Sequence, residues 1–253
     1  MKVAAVQHDI VWEDKAANFT HLAPLVAQAA DQGARLVVLS EMFSTGFSMD
    51  VERVAEAADG PSTQFLVDQA AAHQVWVCGS LPERDEGQEL PYNRLVLAGP
   101  EGSVHRYAKI HPFRYAREHE HYASGDEHVT VDVDGVRTSL FVCYDLRFAN
   151  EFWMLARETD CYLVVANWPK SRRGHWRALL KARAIENQAF VVGVNRVGRG
   201  GRLDYAGDSA IIGPLGKVLA DAGDTETVIV ADVDPARVLA VREEFPFLDD
   251  RRD

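Results

Sequence analysis

The chain has few cysteines, a deficit of positive charge and no long hydrophobic run. Its 253 residues include only three cysteines, Cys78, Cys143 and Cys161, whose spacing matches neither a disulfide framework nor a zinc motif. Lysine and arginine total 27 against 38 aspartates and glutamates, and the net charge of −11 argues against nucleic acid or an anionic membrane as the main partner. No apolar run approaches membrane-spanning length, and the first residues are too short an apolar stretch for a signal peptide. We therefore predict a cytoplasmic protein with no nucleic-acid and no membrane partner.

The chain also lacks low-complexity linkers and internal repeats, so nothing in it marks a boundary between domains. Hydrophobic residues make up 47% of the sequence, which is enough for a full core without disulfides. We therefore predict a single domain over residues 1–253. The charged tail 249–253 is expected to fray or to dock on a partner subunit.

Apolar runs of strand length alternate with helical patterns in the first third of the chain. Antiparallel pairs with hairpin turns then interrupt this alternation, which later returns. This order favours an α/β fold with two mixed sheets and helices outside, a four-layer α-β-β-α sandwich, over one doubly wound sheet. The expected strands are 3–7, 36–39, 75–80, 94–98, 104–110, 129–133, 136–142, 161–167, 190–196, 209–213, 216–220 and 227–232; the expected helices are 14–32, 150–157, 174–187 and one that begins at 62; and 198–201 is expected to be a Gly-rich loop.

The segment 138–148, TSLFVCYDLRF, places a cysteine at the carboxyl end of a buried strand, just before a helical pattern. Backbone N–H groups and the positive end of a helix dipole favour a thiolate at such a position. Cys143 is therefore the candidate nucleophile. The alternative is a small buried hydrophobe, which is how we interpret Cys78 and Cys161 inside their apolar runs.

Two further charged residues stand at the ends of predicted strands. Glu41 follows Leu-Val-Val-Leu, so its carboxylate emerges from an apolar layer, and Lys109 ends the strand before Ile-His-Pro-Phe. Each alone is more typical of a solvated surface charge. Together with Cys143 they fit covalent amide chemistry, in which a base deprotonates the thiol and a positive charge or N–H donors stabilise the oxyanion.

The sequence resembles the nitrilase superfamily, the carbon–nitrogen hydrolases with a Glu–Lys–Cys triad. Glu41 in VVLSEMFSTGF, Lys109 in YAKIHPF and Cys143 in FVCYDLRF match the three family motifs in order, with Ala149 where proline is frequent. Glu118 falls where many members carry a second active-site glutamate. The similarity also includes ANWPKSRRGHWRALLKARAIENQAFVVGVNRVG and YAGDSAIIGPLGKVL, so it spans nearly the whole chain.

Within that superfamily, EMFSTGFSM together with CYDLRF and ANWP most resembles the ω-amidase branch, which hydrolyses the terminal amide of 2-oxoglutaramate and related α-keto acid amides. The resemblance implies a nitrilase-like sandwich and an amidase that releases ammonia from a small-molecule amide through a cysteine thioester. It implies no cofactor and no metal. It also implies a homodimer formed through helices near the cysteine.

The resemblance assigns a role to each candidate residue. Glu41 accepts the thiol proton and later activates water, and Lys109 stabilises the oxyanion together with the backbone N–H of Tyr144. Glu118 orients Lys109 and the substrate amide. The predicted substrate-binding side chains are Phe43, Tyr144 and Trp168.

Several alternatives stay open at this point. The triad is shared with N-carbamoyl amino acid hydrolases, aliphatic amidases and nitrilases, and a catalytically silent binding protein could have the same fold. A metal site around His111, His119 and His121 is the weakest alternative because their spacing fits no zinc motif, although His119 or His121 could border the pocket. A substrate carboxylate needs an arginine or backbone donors, and the sequence does not choose among the arginines at 147, 172 and 173.

Overall fold

Two six-stranded mixed sheets form the centre of the computed structural model, which describes residues 1–252. The strands are β1 (Lys2–Gln7), β2 (Leu36–Val38), β3 (Trp76–Glu83), β4 (Tyr92–Ala98), β5 (Val104–Ala108), β6 (Thr130–Val133), β7 (Val136–Val142), β8 (Cys161–Ala166), β9 (Phe190–Asn195), β10 (Val197–Gly200), β11 (Leu203–Ala206), β12 (Ala210–Ile212), β13 (Val218–Asp221) and β14 (Thr227–Asp232). The first sheet has the order β14-β1-β2-β3-β4-β5 and the second β13-β12-β9-β8-β7-β6, and β10 pairs with β11 alone.

Each sheet has three parallel strands at its centre and antiparallel strands on both sides. In the first sheet β1, β2 and β3 run parallel, and β14, β4 and β5 are added antiparallel. In the second sheet β7, β8 and β9 run parallel, and β6, β12 and β13 are added antiparallel. Strands β2 and β5 therefore run in the same direction and end at the same edge of the first sheet.

Alternation of side chains along the strands divides the core into layers. In β1, Val3 and Ala5 pack into the core between the two sheets, whereas Ala4 and Val6 pack on the opposite face against helices. Successive side chains of a strand point to opposite faces, so a strand that is apolar throughout has both faces covered. All six residues of β8 are buried for this reason.

Helices cover the outer faces of both sheets. The helices are α1 (Lys15–Asp31), α2 (Val51–Val54), α3 (Pro61–His73), α4 (Ala149–Met154), α5 (Arg173–Asn187) and α6 (Pro235–Glu244). Helices α1 and α3 contribute to the core on the first sheet, and α5 packs on β9 and β12 of the second. The predicted four-layer α-β-β-α sandwich of two mixed sheets is confirmed. None of the helices within residues 1–252 combines the length and apolar character needed to cross a membrane.

Several segments differ from the sequence-based expectation. The predicted loop 198–201 belongs to the β10–β11 hairpin, in which Gly198 and Gly201 adopt positive φ of 81° and 58° that glycine tolerates without strain. The predicted helix 150–157 is shorter, since α4 ends at Met154. Helix α6 was not predicted, although Asp234 caps it and Pro235 begins it. The tail contains a 3-10 turn at Phe247–Asp250, and Asp253 lies outside the described residues.

Candidate active site

Four predicted catalytic side chains meet where strands from both sheets end. Glu41 follows β2, Lys109 follows β5 and Cys143 follows β7. Glu118 begins a 3-10 turn, Glu118–Glu120, in the segment between β5 and β6. Glu41, Lys109 and Glu118 are fully buried, and Cys143 is partly exposed to a cavity. The structure therefore brings together residues that are up to 102 positions apart in the chain.

Lys109 lies between the two carboxylates. Its Nζ is 3.0 Å from Oε1 of Glu41, and 3.0 Å and 2.9 Å from the two carboxylate oxygens of Glu118. Burial alone would lower the pKa of Lys109, but the charges of Glu118 and Glu41 outweigh it and raise that pKa well above its ordinary value. The two carboxylates therefore favour the charged ammonium form of Lys109, which the stabilisation of an oxyanion requires.

Asn93, a residue that the sequence did not point to, connects the same two carboxylates. Its Nδ2 donates to Oε1 of Glu41 at 2.8 Å and to Oε1 of Glu118 at 3.0 Å. Its Oδ1 accepts from Ser80 Oγ at 2.8 Å, which fixes the orientation of the amide. The available signal in the sequence was an amide side chain near the start of a predominantly apolar segment, Leu95–Ala98.

Asn167, which follows β8, holds the other side of Glu41. Its backbone N–H donates to Oε2 of Glu41 at 2.7 Å, and its Nδ2 donates to the Glu41 carbonyl oxygen at 2.7 Å. Both carboxylate oxygens of Glu41 are thus hydrogen-bonded, one from the first sheet and one from the second. Asn167 lies within the ANWP segment, so its sequence context was noted but its contact was not predicted.

Cys143 occupies a sharp turn between β7 and the 3-10 helix Cys143–Arg147. Its φ of 46° lies in the left-handed region, which is strained for a residue with a side chain. The next carboxylate, Asp145, anchors this turn by accepting hydrogen bonds from Tyr107 Oη at 2.8 Å, from His111 N at 2.9 Å and from Val142 N at 3.0 Å. Burial raises the pKa of Asp145 to about 6, although Lys109 and these hydrogen bonds lower it in part.

The surroundings of Cys143 favour the neutral thiol over the thiolate. Burial raises the pKa of Cys143 well above its ordinary value, the charge of Glu41 and a hydrogen bond to it raise the pKa further, and Lys109 acts in the opposite direction. This shift is opposite in direction to the thiolate expected at a strand end, because the strand end also places the sulfur beside a carboxylate. Deprotonation of Cys143 needs a base, and Glu41 is the adjacent candidate.

Aromatic side chains line the cavity beside Cys143. Of the three predicted substrate-binding residues, Tyr144 and Trp168 line the cavity and Phe43 does not. The ring of Phe43 is buried under α1 and α3, with centroids 6.4 Å from that of Phe19 and 6.0 Å from that of Phe65. The remaining lining residues are Glu41, Phe47, Lys109, Phe113, Ala116, Cys143, Arg147, Asn167, Pro169, Arg172, Leu203 and Tyr205.

The turn after Glu41 explains the error at Phe43. Strand β2 ends at Val38, and Met42 has a positive φ of 44°, so the chain turns directly after Glu41. Phe43 consequently faces the outer helices, and the aromatic ring that reaches the cavity from this loop belongs to Phe47. The Lys109 ammonium lies 5.4 Å from the centroid of that ring.

Two of the three candidate arginines line the cavity. The guanidinium of Arg147 lies 4.8 Å from the Trp168 ring centroid, and that of Arg172 lies 5.3 Å from the Phe113 ring centroid. Within the part of the chain that the structure describes, neither forms an ion pair with a carboxylate. Arg173 instead makes a bidentate ion pair with Asp208, at 2.8 Å and 2.7 Å.

The histidines of the weakest alternative lie outside this cavity. Nε2 of His111 lies 2.9 Å from Glu151, and Nε2 of His128 lies 2.8 Å from the same carboxylate. His119 and His121 are not among the lining residues. Over residues 1–252, no group of three or more His, Cys, Asp and Glu side chains is arranged to hold a metal ion.

Known proteins resemble this chain over nearly its whole length. Residues 2–243 match the carbon-nitrogen hydrolase family. Omega-amidase YafV of Escherichia coli strain K12 is 39% identical over 97% of this chain and 94% of that protein, and 2-oxoglutaramate amidase of Bacillus subtilis strain 168 is 34% identical over 99% and 97%. Among solved structures, this chain is similar to XC1258 from Xanthomonas campestris, a CN-hydrolase superfamily protein with an arsenic adduct in its active site. The two structures align with a TM-score of 0.95 and 38% sequence identity, and the alignment covers 100% of this chain and 97% of that one.

Proposed function

The chain belongs to the carbon–nitrogen hydrolase family, and on that premise we propose that it is an ω-amidase. The enzyme is a hydrolase that acts on carbon–nitrogen bonds other than peptide bonds. In the proposed reaction it releases ammonia from the terminal amide of a small α-keto acid amide such as 2-oxoglutaramate. The relatives named omega-amidase and 2-oxoglutaramate amidase support this choice within the family.

The observation that supports the substrate class is a pair of arginines in the cavity that form no ion pair with any described carboxylate. Arg147 and Arg172 line the same cavity as Cys143. An α-keto acid amide has a carboxylate at the end opposite its amide, and a guanidinium recognises a carboxylate with two parallel hydrogen bonds. We propose that Arg172 or Arg147 binds this carboxylate while the amide lies at Cys143. The aromatic side chains Tyr144 and Trp168 would enclose the short carbon chain between them.

The proposed first half-reaction forms a thioester. Glu41 accepts the proton of the Cys143 thiol as the sulfur attacks the amide carbon. The oxyanion of the tetrahedral intermediate is stabilised by Lys109 and by the backbone N–H of Tyr144, which lies at the start of a 3-10 helix where N–H groups have no acceptor within the helix. Glu41 then returns the proton to the amide nitrogen, the carbon–nitrogen bond breaks, and ammonia leaves.

The second half-reaction hydrolyses the thioester. Glu41 removes a proton from a water molecule that attacks the thioester carbon, and the same donors hold the second oxyanion. The carbon–sulfur bond breaks, the sulfur recovers a proton, and the carboxylic acid is released. In this scheme Glu118 orients Lys109, in keeping with its two contacts to the ammonium.

We also propose that the active protein is a homodimer in the cytoplasm. Large apolar side chains are exposed on both helices that follow the cysteine, Met154 on α4 at 55% and Ile185 on α5 at 44%. A self-complementary interface through these helices would cover them. Sedimentation of the purified protein tests this, with a dimer expected and a monomer at all concentrations contradicting it.

The test of the function is ammonia release from 2-oxoglutaramate, compared with glutamine, asparagine, an N-carbamoyl amino acid and a simple nitrile. We expect preferential turnover of the keto amide, and none in Cys143→Ala, whose unchanged thermal melting would show that the fold is intact. Turnover of another substrate would keep the triad and overturn the substrate class. No release from any of them, with Cys143 inert to alkylation, would indicate a silent binding protein.

A further inference from the structure

Asn167 carries a buried hydrogen-bond acceptor that is unpaired within residues 1–252. Its backbone N–H and its Nδ2 both donate to Glu41, but Oδ1 accepts no hydrogen bond from any of these residues. The residue is 5% exposed and lines the cavity beside Cys143. Because Nδ2 is held by a carbonyl oxygen, which can only accept, the orientation of the amide is fixed and the unpaired atom is the oxygen. A buried acceptor without a partner is costly, so its presence in a ligand cavity calls for a donor supplied by the ligand.

We propose that Asn167 Oδ1 accepts a hydrogen bond from an N–H group of the primary amide that is cleaved, and so selects amides over esters. This rests on the proposed function, because it concerns the same cavity and the same nucleophile. Asn167 also holds both the carboxylate and the carbonyl of Glu41, the group that must give its proton to the leaving nitrogen. One residue therefore fixes the proton donor and the orientation of the nitrogen that receives the proton.

The chemistry of the leaving group makes this contact selective. A primary amide has two N–H donors, and one of them can face Asn167 while the nitrogen lone pair is turned toward Glu41. An ester has an alkoxy oxygen at the same position, which can only accept and would meet another acceptor. A site built to bind an N–H group rejects an analogue that lacks it far more strongly than it rejects a change of one methylene.

The experiment compares the primary amide that the wild-type enzyme hydrolyses best with the methyl ester of the same acid. Both substrates form the same thioester, so kcat/KM for each reports on the steps up to loss of ammonia or methanol. In Asn167→Ala and Asn167→Ser we expect the ratio of kcat/KM for the amide to kcat/KM for the ester to fall by about tenfold or more. The amide loses the oxygen that accepts its N–H, whereas the ester is relieved of the repulsion between that oxygen and its own alkoxy oxygen. Equal losses for both substrates would mean that Asn167 acts only by holding Glu41, which would overturn the proposal.

Asn195→Ala is the matched control. Asn195 accepts from Trp168 N at 2.7 Å and donates to Trp168 O at 3.1 Å, so it supports the residue next to Asn167 without touching the acceptor. We expect it to slow amide and ester hydrolysis together, and a drop in the ratio as large as that of Asn167→Ala would contradict the proposal. If the enzyme hydrolysed another amide better than the keto amide, only the proposed substrate class would be overturned. If it hydrolysed no primary amide, both the proposed function and the proposed role of Asn167 would be overturned.

Discussion

Lys109 and two carboxylates form one buried, hydrogen-bonded cluster beside Cys143. Two carboxylates and one ammonium are fully buried, so the cluster is stable only because each oxygen has a donor. Asn93 supplies uncharged N–H donors to both carboxylates, and Asn167 supplies another to Glu41. Glu41 is thereby kept beside the sulfur in a position to act as the base.

The alkylation rate of Cys143 tests this balance at a single residue. Because the charge of Glu41 raises the pKa of the thiol and Lys109 lowers it, Glu41→Gln removes the raising charge and keeps the lowering one. We expect the midpoint of the rate–pH profile with iodoacetamide to move to lower pH in Glu41→Gln, while ammonia release falls by more than about 100-fold. Mass spectrometry of the labelled peptide gives the rate, with Cys143→Ser as the background. A midpoint that stays or rises would contradict the assignment.

Substitution tests which arginine, if either, binds the carboxylate of the proposed substrate. Arg172→Met removes a charged donor from the cavity but keeps an apolar side chain over Phe113. We expect KM for a carboxylate-bearing amide to rise by about 10- to 100-fold, the equivalent of one charge-assisted hydrogen bond. KM for a short neutral amide is expected to change less than threefold.

Arg173→Met is the control at the neighbouring position. Loss of the Arg173 guanidinium leaves the buried carboxylate of Asp208 without its bidentate partner, so the melting temperature is expected to fall. The ratio of KM for the carboxylate-bearing amide to KM for the neutral amide is expected to stay the same. If Arg172→Met also left the ratio of the two KM values unchanged, Arg147→Met would be tested next. If neither variant changed this ratio, the proposal that the substrate carries a carboxylate would be contradicted.

At the scale of elements, sequence patterns located the strands better than the connections between them. Apolar runs gave the central strands of both sheets, because a strand covered on both faces must be apolar throughout. The β10–β11 hairpin was missed because its glycines indicate a loop as readily as a tight turn. Phe43 was placed in the cavity because nothing in the sequence reveals the positive φ of Met42, which turns the chain away.

The packing of Phe43 on β3 provides a test of that correction. A Cβ at Gly79 would lie 2.7 Å from Phe43 Cδ1 and 3.1 Å from Leu39 Cβ, so Gly79→Ala forces the ring out of place. We expect Gly79→Ala to lower the free energy of unfolding by about 1–3 kcal/mol and Phe43→Leu by about 1–2 kcal/mol. In the double variant the smaller side chain leaves room for the methyl group.

Urea denaturation of the four proteins measures the coupling between the two positions. We expect the double variant to be more stable than the sum of the single changes by about 1 kcal/mol or more. KM should be unaffected by Phe43→Leu, since the ring does not line the cavity. Additive effects would show that the ring relaxes freely, and a selective rise in KM would return Phe43 to the substrate site.

At the scale of the whole molecule, the sequence predicted the layers but not the contacts that join them. The four-layer sandwich and the family are confirmed, whereas the single domain, the roles of the triad and the dimer stay predictions. Glu41 contacts Asn93 and Asn167, which are 52 and 126 positions away, and no local pattern specifies such pairs. They arise because the two sheets end at a common edge, which is a property of the folded chain alone.

His8 is a second point where distant segments join, and it is buried. Its Nδ1 donates to the Asp9 carbonyl oxygen at 2.9 Å, so its Nε2 is the acceptor for Ser40 Oγ at 3.0 Å, directly before Glu41. Its own carbonyl oxygen accepts from Val197 N at the start of β10. Burial lowers the pKa of His8 to about 4, whereas an unfolded histidine titrates near 6.5.

These values determine how acid changes the stability of the whole fold. Between pH 6.5 and about 4 the unfolded chain binds a proton at His8 that the native protein does not, so this contribution to stability is present above pH 6.5 and is lost as the pH falls. Asp145 has the opposite effect on stability over nearly the same pH range. Its pKa is raised to about 6 in the native protein, so the native protein binds this proton at a higher pH than the unfolded chain does. His8→Gln should remove the first effect and keep the second. Relative to wild type, we expect its free energy of unfolding to rise by about 3 kcal/mol between pH 7 and pH 4.

Urea unfolding of wild type, His8→Gln and His21→Gln at several pH values separates this effect from general acid denaturation. His21 is a surface histidine paired with Glu226, so its variant should follow the wild-type curve within about 1 kcal/mol. Because only differences between curves are compared, the carboxylates common to all three proteins cancel. Parallel curves for wild type and His8→Gln would mean that His8 takes up its proton in the native protein over the same pH range as in the unfolded chain. Below that range the hydrogen bond from Ser40 could not then form as described, and the link between β1 and the residue before Glu41 would need another explanation.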